Sequence, residues 1–339
     1  LRNNTASEIT AVGYRALITN TTGSRNTAVG TIALEGNTTA NDNTAVGYRA
    51  LYANTTGFTN SAFGSYALDA CTTASYNTAL GFKALTTSTG GTRNTAVGCE
   101  AGESVTTSAY HTLIGFRAGK DISTGEGNVY IGDQAGMQTT ESSHNVAIGR
   151  NALSLGTDGI QQNVAIGYAA MYNNTNGDYN VAVGSHSGNG LTGGSNNTLA
   201  GYYSGISLTT GYDNVAVGSL AGDAMTTGYE NTSVGREALT DATTGQGNTA
   251  LGHQALRDVT TSDWNTGCGE WAGQDITSGS NNLMLGYASG STASPSGSVT
   301  TGSNNVCLGN NSIANLYCAD TSISSSDARD KTDVEDFKY

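Results

Sequence analysis

Residues 26–34 read NTAVGTIAL, and residues 43–51 read NTAVGYRAL. The same pattern returns along the chain, centred on a glycine. From Gly13 to Gly309 eighteen such glycines can be aligned, and fifteen of the seventeen steps between them are 17 residues. The step from Gly149 to Gly167 is 18 and the step from Gly286 to Gly309 is 23. A short fixed period marks a solenoid, in which each repeat is one coil and buries its apolar side only by stacking on its neighbours. The expected class is therefore all-β, a rod of about 18 coils.

Each column of the repeat has a physical reading. The residue before the glycine is nearly always apolar (Val29, Val46, Phe63, Leu80, Ile114), and two residues earlier stands Thr or Val, as in Thr27 and Val146. Side chains alternate along a strand, so these two share one side, while the residue between them, usually Ala as at Ala28 and Ala45, takes the other. Such a strand expects apolar contacts on both sides, as in buried parallel sheets. Three residues after the glycine every coil has Ala or Ser, for example Ala33 and Ser187, followed by Leu or Gly. That confinement to small side chains predicts a crowded contact, either inside the coil or between chains. Asn stands four before the glycine in sixteen coils, with Ile9 and His111 the exceptions, and suits a turn or a stacked ladder. Eight after the glycine comes a Thr column (Thr21, Thr38, Thr55), with Ser123 and Ser294 as replacements.

Composition excludes several classes. The chain has 339 residues, 47 of them Gly and one Pro, and its strict order argues against disorder. A net charge of −13 with dispersed Lys and Arg excludes a nucleic-acid surface. The five cysteines are far apart and form no metal-binding or disulfide pattern. No apolar run approaches a membrane span, and no membrane insertion is expected. The chain starts within a repeat at Leu1, so it reads as a fragment whose true N-terminus lies upstream.

The two positions after the glycine vary most, which predicts the outward face. Aromatic residues recur there: Tyr14, Tyr48, Tyr66, Phe82, Phe116, Tyr168, Tyr202, Tyr203, Trp271 and Tyr287. Rings beside Asn, Asp and Arg suit sugar recognition. The same rings could instead stack on one another and shield the sheet. His111, His144, His186 and His253 lie in different coils without ligand-spaced partners, so no metal or cofactor is expected. Nothing in the pattern points to an enzyme acting on an external substrate. The adjacent threonines should point opposite ways, which disfavours an ice-binding array.

The coil resembles the head repeat of trimeric autotransporter adhesins of the YadA type, with residues 145–149 and 163–167, both NVAIG, carrying the likeness. The resemblance implies a left-handed parallel β-roll with two short strands per coil and three chains around a common axis, a homotrimer in which the Ala columns would pack near the axis. The 17-residue coil is longer than usual for that family, with the excess in the Thr-Thr-Gly turn.

Three regions follow: a repeat shaft over 1–309, a connector over 310–325, and a charged segment over 326–339. Ser326-Asp327-Ala328-Arg329-Asp330-Lys331 resembles the start of the C-terminal intramolecular chaperone domain of phage endosialidases, tail fibres and tailspikes. By that resemblance Ser326 would be the nucleophile of a self-cleavage and Lys331 its general base, active only with the rest of that domain present. The expectation is a trimeric phage tail-fibre or tailspike segment in the virion, with tail or baseplate proteins and a host cell-surface glycan or protein as partners. The alternatives are a bacterial adhesin head and a purely structural spacer. Insertions near Gly156–Gln162 and Ser291–Asn304 are expected to protrude.

Overall fold

A computed structural model describes residues 5–156 and 159–315. Among these residues eighteen strands of three residues run from β1 (Thr10–Val12) to β18 (Val306–Leu308), each ending at the residue before a repeat glycine. Every strand pairs in parallel with the next, and like columns pair: Thr27 with Thr44, Ala28 with Ala45, Val29 with Val46. The protein is thus a β-solenoid, one sheet of 18 strands with one strand per coil. At a strand spacing of about 4.8 Å the stack is roughly 80 Å long.

The repeat glycines form the corner after each strand. Gly81 has φ +144°, and a Cβ built there would lie 2.3 Å from the carbonyl oxygen of Gly98. The missing side chain is the space into which the next coil's backbone stacks.

The second half of the coil corrects one expectation, because no second strand forms among the described residues. Past the corner, alternate residues take left-handed backbone conformations: Ile32 and Leu34 at φ 54° and 51°, Arg49 and Leu51 at 59° and 51°. Extended pairing is incompatible with that alternation. The coils are still joined by hydrogen bonds of opposed direction: the Ile32 N–H donates back to Tyr14 O at 2.8 Å, and the Leu34 N–H donates forward to Ala50 O at 3.0 Å. Left-handed conformations cost an L-residue about 1 kcal/mol each, offset here by placing Leu34 and its equivalents inside.

Both small-residue columns face the chain's own interior. Ala28, Ala33 and Leu34 are completely buried, as are their counterparts in most coils. The Ala columns therefore do not lie at a contact between chains. Thr27 and Val29 point outward instead and are only half-buried.

Two asparagine ladders line the interior. In the column four before the glycine, Asn26 Oδ1 accepts the Asn43 N–H at 3.0 Å, and Asn43 Nδ2 donates to Gly57 O at 2.9 Å. The ladder expected from sequence is present, and its buried amides are paired, as burial requires. A second ladder joins Asn20, Asn37 and Asn54, then gives way to Cys71 and Ser88. The Thr column is a third: Thr55 Oγ1 donates to Thr72 O at 3.0 Å, and Thr209 Oγ1 to Thr226 O at 2.9 Å.

The insertions are narrower than the sequence suggested. Thr277 bonds to Thr300 O through both its N–H and its hydroxyl, so Thr300, and not Ser294, continues the Thr column. Val299 fills the core, and its N–H to Gly290 O bond of 2.8 Å closes the excursion of residues 291–298. In the 18-residue coil, Ile160 is fully buried and fills the room left at Gly156, whose Cβ would meet Ile160 Cδ1 at 2.7 Å.

His111 occupies the Asn column. Its Nδ1 accepts the Asn128 N–H at 3.3 Å, and its Nε2 lies 3.1 Å from Ser108 Oγ. Burial lowers its pKa from 6.5 to about 4. On acidification the unfolded chain takes up the proton first. The stability contributed by the neutral ring is complete above pH 6.5 and is lost as the pH falls toward 4, by about 3 kcal/mol. His111→Asn, which restores the column amide, is expected to remove that share of the acid sensitivity. Urea unfolding of both proteins at pH 7 and at pH 4 checks this, and parallel pH profiles would rule it out.

Candidate binding surfaces

The first surface is the outer side of the sheet. The residues before the glycines form an exposed apolar column: Phe63, Leu80, Ile114, Val183, Leu251 and Leu285 are all large and solvent-facing, Leu80 at 48%. A Thr or Val column runs beside it. An apolar strip of this length exceeds the patches that monomeric proteins usually expose.

The second surface is the column just past the glycines, the carboxy edge of the sheet, where the sequence placed its aromatic candidates. Tyr14, Tyr48, Phe82, Phe116, Tyr168, Tyr202 and Tyr287 are exposed as expected; Tyr66, Tyr203 and Trp271 are only partly so. Most of these rings meet. Tyr66 stands edge-on to Tyr48 at 5.3 Å and to Phe82 at 6.2 Å, bridging three coils. Tyr168, His186, Tyr203 and Tyr202 form a second cluster with centroid separations of 5.0, 4.8 and 4.3 Å. Trp271 packs on Tyr287 at 5.2 Å. Phe116 lies under the Arg117 guanidinium at 4.7 Å, and Tyr14, at 70% exposure, stands apart from these pairs. Charged groups border this edge: Arg49 grips Asp69 through two bonds of 2.9 and 3.0 Å. Arg117, then Lys120, hold the Glu100 carboxyl below its usual range.

The third surface was missed by the sequence reading. It is the pair of residues five and six before each glycine, the amino edge of the sheet. Phe58 meets Tyr76 edge-on at 5.0 Å, and Arg93 lies over Tyr76 and Tyr110 at 5.6 and 5.5 Å. Further along, Tyr212 stacks on Tyr229 at 4.8 Å. The signal was present, since Tyr76, Arg93 and Tyr110 are spaced by 17. Near the end of the rod Trp264, Asn281 and Asn304 on this edge flank Thr266, Leu283 and Val306 of the sheet face around an open groove of about 350 Å³.

Ser326 and Lys331 lie outside the described residues. Cys71, Cys99, Cys268 and Cys307 are free thiols, and burial raises Cys71 to about 12, which makes it inert. Among the described residues no group of three or more His, Cys, Asp or Glu is placed to hold a metal, and no helix is long and apolar enough to cross a membrane. The geometry defines the chain as a parallel β-solenoid with three lengthwise side-chain columns available to partners. No known protein family and no curated protein matches the sequence.

Proposed function

We propose that this chain is a rod segment of a homotrimeric phage tail fibre or tailspike, which carries or forms the contact with a host-cell surface glycan or protein. The observation that carries the reading is the continuous apolar column along the outer face of the sheet. Val183 and Leu251 are exposed in one chain and column mates such as Val29 and Ile148 are half-buried, and covering them by like chains would remove that surface from water. The resemblance of Ser326–Lys331 to a chaperone entry motif favours a phage fibre, with tail or baseplate proteins as upstream partners. The likeness of residues 145–149 to adhesin head repeats supports the second reading, the head of a bacterial trimeric autotransporter.

The test is the mass of the chain made from its complete gene, beside a Ser326→Ala control. The expected product ends at Ser325, the control stays uncut, and the released rod sediments at three times the monomer mass. A rod that sediments as a monomer would overturn the assembly. An uncut trimer would favour the adhesin head.

A further inference from the structure

The two edges of the sheet differ in charge, and in several coils the residues at one edge complement those at the other. The amino edge carries seven carboxylates against two arginines, whereas the carboxy edge carries six Lys and Arg against four carboxylates. The match extends to individual strands. Asp42 and Arg49 flank the strand before Gly47. Arg93 and Glu100 flank the strand before Gly98, with the signs exchanged. Glu230 and Arg236 flank the one before Gly235. Rings follow the same rule: Tyr76 stands opposite Phe82, Tyr110 opposite Phe116, and Trp264 opposite Trp271. The Gly132 coil, with Glu126 and Asp133, carries carboxylates at both edges, as does the Gly269 coil with Asp263 and Glu270 beside its Trp pair.

These partners do not meet within one chain. An extended strand and its flanks separate them by more than about 10 Å. Inside the chain each has another contact: Asp42 binds Arg25, Arg49 binds Asp69, and Glu100 binds Arg117. The agreement of the two edges therefore has no use in an isolated rod.

We infer that the amino edge of one chain lies against the carboxy edge of a second copy at the same coil. The inference rests on the assembly proposed above and adds its interface and register. Two unlike edges make a heterologous contact, which closes into a ring when the rods run parallel. Cyclic symmetry keeps each residue at one height, so Asp42 meets the neighbour's copy of Arg49, and Tyr110 the neighbour's copy of Phe116. The apolar sheet faces then turn toward the common axis. The groove beside Trp264 lies at the coil where the neighbour's copy of Trp271 arrives, which gives that ring a seat. The aromatic columns thereby line seams between chains, and a ligand reaching Tyr202 would touch two copies.

Cysteine cross-linking tests the register. With Cys99, Cys268 and Cys318 replaced by serine, Thr59→Cys is combined with Ser65→Cys, which flanks the same strand, or with Phe82→Cys, one coil further on. The same-strand pair is too far apart within a chain for a disulfide, which needs Cα atoms within about 7 Å. It is expected to give covalent oligomers on non-reducing gels at least tenfold more abundantly than the shifted pair. A shifted pair that links as well or better overturns the register. An oligomer by sedimentation with neither pair linked overturns the edge contact and leaves the assembly standing. A monomer overturns the assembly itself and the inference with it.

Discussion

Gly81→Ala is expected to destabilise the solenoid by about 4 kcal/mol or more, a loss reserved for strained backbone or core disruption. Gly81 holds φ +144°, and any Cβ would lie 2.3 Å from Gly98 O and 2.6 Å from Gly98 C. Neither atom belongs to a flexible side chain, so the coils must part. In a stacked array each coil is stabilised by its neighbours, and the cut should separate the rod into segments that melt independently. Hydrogen exchange is expected to rise first at the strands before Gly81 and Gly98. Gly297→Ala is the matched control: its φ is +68° but nothing lies within 4 Å of the added methyl. It should cost about 1 kcal/mol, the strain alone. If the Gly81 variant melts with its parent, the close stacking described for the corner is wrong.

Tyr130→Ala is expected to cost about 3–5 kcal/mol, as for other large aromatic truncations in cores. Tyr130 is fully buried in the middle of its strand, a place held by Ala in most coils. Room for its ring is made four residues past the corner by Gly136, whose Cβ would lie 2.3 Å from it. In the Gly81 coil the same two places hold Ala79 and Leu85, both completely buried. Gly136→Leu alone should overpack the coil. Combined with Tyr130→Ala it rebuilds the commoner arrangement and should recover much of the loss, giving a coupling of about 2 kcal/mol or more between the two sites. Thermal or urea unfolding of the four proteins in the cycle measures it. Additive losses would show that the two positions do not share one space.

The same exchange of volume runs through the core. Gly102 sits where a Cβ would strike Leu113 and Val105, and Gly273 where it would strike Leu256, Ile276 and Met284. Gly267, in mid-strand, makes room for Leu256. The sequence showed an alternation of Leu and Gly after the small column but not its cause, because the compensating residues lie several positions away and sometimes in the next coil.

The candidate surfaces were legible in part. The carboxy-edge aromatics stood out because they vary beside a fixed glycine, and their exposure follows. Their mutual packing was one of two readings, and the ring pairs of Tyr66 and His186 favour it for most of them. The amino edge escaped notice because Phe58, Tyr76 and Arg93 fall in a stretch that reads as a polar turn. Only the stacked coils bring those side chains into one column.

By itself the sequence determined the period, the corner glycines and the Asn and Thr columns. Each of these answers a local requirement of the backbone, a positive φ or a paired amide, repeated at fixed spacing. The tertiary structure decided which side of each strand faces inward. Alternation separates Ala28 from Thr27 and Val29 but does not say which set is enclosed. Where Leu fills the coil, as Leu34 does, only a small side chain fits beside it, and the side chains of Thr27 and Val29 are left outside; a larger residue such as Tyr130 enters only where glycine takes the Leu place. The tertiary structure also replaced the second strand with alternating left-handed residues, because that path folds Leu34 into the core while keeping every coil bonded to the next.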